Sequence, residues 1–154
     1  MVEPLCRRLL DLIETKADQL TKAWLADIKA RSDTKTYHSY DDDELYRRAF
    51  SVYSQLSMWI CEETTKADIA RHYTSLGRQR FKEGFKLSEV LQALILTRRH
   101  LWVLVRHEGL LDTALAMHQA LNLSDRTILF FDRAAYYIAV GFEQAMAEAE
   151  AEAD

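Results

Sequence analysis

Glycine and proline are nearly missing from this chain: its 154 residues include four glycines and one proline. Sheets and their turns consume these residues, so their scarcity argues for helices joined by few loops. Cysteine is scarce too. Cys6 and Cys61 lie far apart and in no CxxC pattern, which reads as reduced thiols of a cytosolic protein. There is no basic tract and the net charge is −4, so nucleic acid is not expected as a partner. Long apolar runs are also lacking. The longest uncharged stretch, Ala49–Cys61, is too short to span a bilayer, and MVEPLCRRLL lacks the apolar core of a signal peptide. These absences predict a cytoplasmic chain without a membrane span.

Apolar residues make up 49% of the chain, and a chain of this size buries roughly 70% of its unfolded surface. A real core is therefore expected without staples. Pro4 suits a first helical turn, after which Leu5, Leu9, Leu12, Ile13, Leu20, Trp24 and Ile28 recur at helical spacing as far as Arg31. RSDTKTYHSYD (31–41) is polar and aperiodic and reads as a loop. Asp41 with Glu44 has the capping-box spacing; the second helix then carries Leu45, Ala49, Val52, Leu56, Trp59 and Ile60 and ends near Glu63.

Thr64 or Thr65 can cap a third helix with Ile69, Tyr73, Leu76, Gly77, Arg80 and Phe81 on one face, stopped by Gly84. The fourth starts near Ser88, carries Leu91, Leu94, Ile95, Arg98, Leu101, Trp102 and Val105, and stops at Gly109. LLDTALAMHQALN (110–122) reads as a short fifth helix. Asn122 with Asp125 should cap the last one, which buries Leu123, Thr127, Phe130, Phe131, Ala134, Ile138, Gly141 and Phe142. From residue 123 to 150 that helix would run roughly 42 Å, longer than a small domain is wide, so its end must project. The tail AEAEAEAD offers no apolar stripe, and acidic residues at a helix C-terminus oppose the dipole. It is either a frayed end or a stump leading to an output domain. The expected division is a body of residues 1–145 and a projecting charged end of 146–154.

Two arginines are out of place. Arg80 and Arg98 each fall in an apolar stripe. An arginine there either runs its stem along apolar surface with its head in water or, if buried, needs a carboxylate. Asp132, next to Phe131, is the expected partner of Arg98, with Arg99 and His100 turned toward solvent or an edge. A ligand- or anion-binding role for the arginines stands beside this structural one. His100, amid apolar residues, is the candidate haem ligand, with His72, His107 and His118 as alternatives. No CxxCH, HExxH or His/Cys cluster supports a metal. The DDDE of residues 41–44 suits a helix N-terminus better than a cation site. Tyr73, Tyr136 and Tyr137 line a cavity or sit in the core with hydroxyls at its rim. There is no GxSxG and no phosphate-binding glycine loop, so nothing points to an enzyme.

Two stretches, YTSLGRQRFKEGFKLSEVLQALILTRRHLW (73–102) and FFDRAAYYIAVGFE (130–143), resemble the N-terminal sensor domain of RsbR-type stressosome proteins, the RsbT co-antagonist N-terminal domain. Related domains precede bacterial histidine kinases. The resemblance rests on LGRQR (76–80), EGFKLSEVL (83–91), RRHLW (98–102) and the set Asp132, Tyr136, Tyr137. It implies an all-α, globin-like bundle that binds no haem and forms a homodimer, and a sensory role that passes a signal to a kinase or STAS-type output domain. The expectation is thus a bundle of five or six helices without a cofactor. A ligand or partner would bind among the third, fourth and last helices, near Arg80, Arg98, Asp132, Tyr73 and Tyr137, and shift the packing of the last helix. A haem-binding globin sensor and a helical interaction module without a ligand are the alternatives.

Overall fold

The structure, a computed structural model, describes residues 4–60, 64–108 and 112–154. The expected end near Glu63, the stop at Gly109, the start of the fifth helix at Leu110 and Cys61 lie outside the described residues. Among the described residues there is no strand. The elements are α1 (Pro4–Thr15), α2 (Ala17–Ala30), a 3-10 segment (Ser32–Ser39), α3 (Asp42–Ser54), α4 (Leu56–Ile60), α5 (Lys66–Lys82), α6 (Leu87–His107) and α7 (Ala114–Ala153). The all-α bundle expected from the sequence is what forms, but its divisions differ.

Two helices expected to be continuous are each broken once. The first breaks at Lys16 (φ −97°, ψ 16°). Just before it, the Thr15 hydroxyl donates to the Asp11 carbonyl at 2.7 Å, a back-bond that bends helices. The stripe Leu9, Leu10, Ile13, Ala17, Leu20, Trp24, Ile28 stays buried across the break, so periodicity gave no sign of it. The second breaks at Gln55 (φ −120°, ψ 22°). On that helix Tyr53 rather than Val52 faces the core, fully buried, with its hydroxyl donating to the Thr97 carbonyl at 2.8 Å.

Residues 31–41 are not the open loop expected. Thr34 and Tyr37 are buried. The Thr34 hydroxyl donates to the Ile28 carbonyl at 2.7 Å, and the Thr36 amide donates to Glu89 at 3.0 Å. Side chains thus supply the order that the polar sequence does not show.

The helix starts follow local chemistry. Asp41 accepts from the Glu44 amide at 3.2 Å. Thr65 and Asp68 form a reciprocal capping box, with both amide bonds at 3.1 Å. α5 ends in a Schellman motif: Phe85 N–H donates to the Arg80 carbonyl and Gly84 N–H to the Phe81 carbonyl, both at 3.1 Å. Gly84 holds φ +88° there, a conformation that disfavours any other residue.

The expected fifth and last helices are one. α7 runs unbroken for 40 residues, about 60 Å at 1.5 Å per residue. Thr113 caps it, accepting from the Ala116 amide at 3.0 Å. Asn122 caps nothing and instead accepts from Arg126 Nε one turn on at 3.3 Å. A mid-helix Asn costs only about 0.7 kcal/mol or less, and burying Gln119, Ala120, Leu123 and Thr127 on one continuous face outweighs it. From Met146 onward α7 remains helical and exposed.

α5 packs chiefly on α7. The contact is backbone on backbone. A Cβ added at Gly77 would collide with the Ile138 carbonyl, and one added at Gly141 with the Thr74 carbonyl. Phe81 and Phe142 meet edge to face at 5.3 Å beside this crossing. Gly141→Ala should therefore cost about 2–3 kcal/mol, the upper part of the overpacking range, read as a lowered urea midpoint with an unchanged slope. A variant as stable as the parent would show that the two helices can separate freely.

Candidate functional site

The polar centre of the molecule lies where α3 and the end of α5 face each other. Arg48 on α3 donates to both oxygens of Glu83, at 2.9 and 3.2 Å, and to Glu44 at 2.9 Å. Arg80 approaches the same Glu83 from α5 at 3.3 Å. Gln79 completes the carboxylate at 2.7 Å. Tyr40 donates its hydroxyl to the Glu83 carbonyl at 3.1 Å and lies under the Arg48 guanidinium. One carboxylate therefore serves two guanidiniums. Burial alone would raise the Glu83 carboxyl, but the Arg48 hydrogen bonds and the field of Arg80 outweigh burial and hold it below the ordinary range. Burial and the neighbouring Arg48 lower Arg80 against the pull of Glu83.

Behind these arginines is a cavity of about 90 Å³. Trp24, Leu45, Ala49, Val90, Ala93 and Ile138 give it apolar walls, drawn from α2, α3, α6 and α7. The polar groups of the α6 wall are occupied: the Ala93 carbonyl accepts from the Trp24 indole at 3.1 Å and from the Thr97 hydroxyl at 2.9 Å. In front of the arginines an open groove of about 620 Å³ runs between α3 and α5. Arg48, Val52, Tyr73, Leu76 and Arg80 line both spaces, so the groove leads to the cavity mouth.

Tyr37 and Tyr73 also border the cavity and are 4% and 2% exposed. Among the described residues neither hydroxyl has a hydrogen-bond partner. Among the described residues no fully sealed side-chain oxygen or nitrogen lacks a partner. Burial pushes both phenols well above their ordinary range, which leaves them as O–H donors.

The structure divides the residues expected to act together. Arg80 and Tyr73 belong to this site. Arg98 and Asp132 do face each other, at 3.9 Å, but with side chains 36% and 67% exposed. Arg98 is therefore not the core-facing, buried member of a pair that its stripe suggested; it lies on the surface between α6 and α7. Tyr137 is half-buried and stacks at 5.1 Å on exposed Tyr136, away from the cavity. Arg99 is exposed. His100 is half-buried and meets Asp27 of α2 at 2.9 Å. His72 packs at a tilt against Trp59, ring centroids 4.8 Å apart, while His107 and His118 are exposed. Among the described residues no cluster of His, Cys, Asp or Glu could hold a metal ion. The cavity is also well short of the roughly 300–1,000 Å³ typical of cofactor-sized sites. Of the DDDE run, Asp41 caps α3, Asp42 pairs with Lys29 at 2.8 Å and Glu44 holds Arg48.

Arg48, Glu83 and Tyr37 are members of the site that sequence reasoning did not select. Arg48 sits one position from the core stripe residue Ala49, and Glu83 lies in the turn before Gly84, where an acid draws no notice.

Comparison with known proteins decides the family. The family model described as RsbT co-antagonist protein rsbRD N-terminal domain matches residues 18–154. The chain belongs to the RsbT co-antagonist N-terminal domain family. Membership points to a regulatory signalling domain in a stress response. Neither the curated proteins nor the solved structures contain a match to the chain. The match starts at residue 18, just past the Lys16 break, so α1 lies before the part that defines the RsbT co-antagonist family. No helix among the described residues is long and apolar enough to cross a membrane.

Glu83→Gln removes the charge shared by the two arginines. It should cost about 1.5–3 kcal/mol at pH 7, the range for hydrogen bonds to a charged group, because the network is only partly buried. The folded-state pKa of Glu83 is depressed, so its stabilisation is full above the ordinary value of 4.5 and is lost as pH falls through the folded value. Denaturation curves of parent and variant should therefore differ at pH 7 and converge only as the pH falls through the depressed folded value of Glu83. A difference independent of pH would remove the charge from the account.

Proposed function

We propose that this chain is a cytoplasmic, non-catalytic sensor or regulatory domain of bacterial signal transduction that acts as a homodimer and passes its state through α7 to an output module of kinase or STAS type. In this reading residues 1–145 are the sensing body and 146–154 the connector. One observation carries it. α7 forms a wall of the internal cavity with Ile138, is clamped to the cavity-mouth helix α5 at Gly141, and continues as an exposed helix to Ala153. A change inside the bundle thus has a continuous covalent route to the exposed end. The family's regulatory character supports the non-catalytic part.

The dimer reading rests on the outer face of α7. Leu121, Ile128, Leu129 and Tyr136 are 65%, 44%, 51% and 57% exposed, with Ile95 of α6 alongside at 41%. Large apolar side chains gathered in one strip mark an interaction surface, and a helix face that meets its own copy about a two-fold axis closes without exposing a new edge. Ile128→Glu should convert dimer to monomer in sedimentation velocity while leaving the helical circular dichroism unchanged; a dimer that survives places the interface elsewhere.

Transmission is tested by fusing the chain after Asp154 to a reporter kinase and inserting one to four alanines at the junction. Each residue rotates the helix by about 100°. Kinase output should rise and fall with that rotation and return after about one turn. Output indifferent to phase would overturn the proposed route.

A further inference from the structure

We infer that the groove and cavity between α3, α5 and α6 bind a small organic carboxylate, its head at the Arg48–Arg80 mouth and its short apolar body in the cavity. This deepens the sensor reading above and rests on it for its biological meaning, though not for its binding chemistry.

Arg48, Arg80 and the hydroxyl of Tyr73 at the mouth, with that of Tyr37 in the cavity behind it, can all donate hydrogen bonds, and both phenols are kept protonated by burial. Glu83 is the acceptor nearest to both arginines, and it is shared. Arg48 takes its two oxygens at 2.9 and 3.2 Å, leaving Arg80 longer contacts of 3.3 and 3.5 Å. Among the described residues no other acid lies within ion-pair distance of Arg80. A guanidinium's forked donors match a carboxylate, so a second carboxylate would satisfy what Glu83 leaves unfilled. An amine would meet the like charge of the two guanidiniums, and the nearest acid, Glu83, is already held by both. The space behind the mouth selects the rest of the molecule. Its walls away from the arginines and tyrosines are mainly apolar and it is about 90 Å³, below the roughly 150 Å³ of a cavity that takes benzene. A chain of a few carbons fits; a steroid or nucleotide does not.

Position in the fold gives the ligand something to move. Its head would contact α3 and α5, and its body α6 and Ile138 of α7. It can bias the bundle only by its differential affinity for two packings, and this site touches the helix that leaves the bundle.

The test uses the 154-residue chain with acetate, hexanoate, hexanol and hexylammonium as probes, read by thermal shift and by tryptophan emission, since Trp24 lines the cavity. Hexanoate should raise the melting temperature and change the emission, acetate should do so far less, and hexanol and hexylammonium should not bind. Affinity should rise with chain length until the cavity is full, then fall. Arg80→Gln should weaken hexanoate at least tenfold. Tyr73→Phe, which keeps the ring and its packing, should weaken it severalfold; it decides the matter if Arg80→Gln does not fold. Hexanol binding as tightly as hexanoate, acetate matching hexanoate, no binding by folded protein, or unchanged affinity in Tyr73→Phe would each overturn the inference. Failure here with phase-dependent kinase output would leave the sensor reading intact and point to a protein signal. Binding without that dependence would leave the pocket and remove the route.

Discussion

The contact between the backbones of α5 and α7 is the constraint on which the rest of this fold depends. Gly77 and Gly141 let two helices approach until carbonyl groups occupy the space where side chains would stand. That proximity places Tyr73 of α5 against Phe130 of α7, with ring centroids at 5.7 Å, and Phe81 against Phe142. It also leaves α5 with its opposite face toward α3. There the separation is filled by long polar side chains rather than by apolar packing, and the groove is the result.

The arginines of that gap follow from the same geometry. Cations at this depth are tolerated because the Glu83 carboxylate stands against both and the Tyr40 ring lies under the Arg48 guanidinium. Arg48 has Glu44 as well as Glu83, whereas Arg80, among the described residues, has only its share of Glu83 and is the member left short. Glu83 itself is held in place by the turn that Gly84 permits, the same turn that swings Phe85 onto Tyr37 at 4.4 Å and Tyr40 at 4.8 Å. A helix stop, an aromatic stack and an ion network are thus one local structure, built by consecutive residues.

Much of this was legible in the sequence and some was not. The caps at Asp41 and Thr65 and the stop at Gly84 were readable because each is decided within a few residues. The breaks at Lys16 and Gln55 were hidden because the buried stripe keeps its three–four spacing through both, as Leu45, Ala49, Tyr53, Leu56 and Ile60 do across the second. Merging the last two helices went against a local cap signal at Asn122, yet the buried positions Ala120, Leu123, Thr127, Phe130 and Ala134 keep an unbroken three–four spacing across it. The stripe was the better guide there. Arg80 stood out by being charged in an apolar stripe. Arg98 stood out for the same reason and proved to be at the surface, because spacing fixes a helix face only to within a residue or so. Arg48 was silent because Glu44, one turn away, gave it an ordinary surface pair, while Glu83, its partner in the site, is 35 residues away, and one sequence carries no sign of such pairings.

The glycine crossing has a mechanical consequence. With α7 treated as a stiff rod, Gly141 is a fulcrum that divides it unequally. About 40 Å of helix lies on the Ala114 side and about 18 Å on the Ala153 side, at 1.5 Å per residue. A sideways swing of the long arm reaches the short tip reversed in direction and reduced to about half. Rotation about the rod's own axis suffers no such loss, so twisting is the motion that such a shaft delivers undiminished.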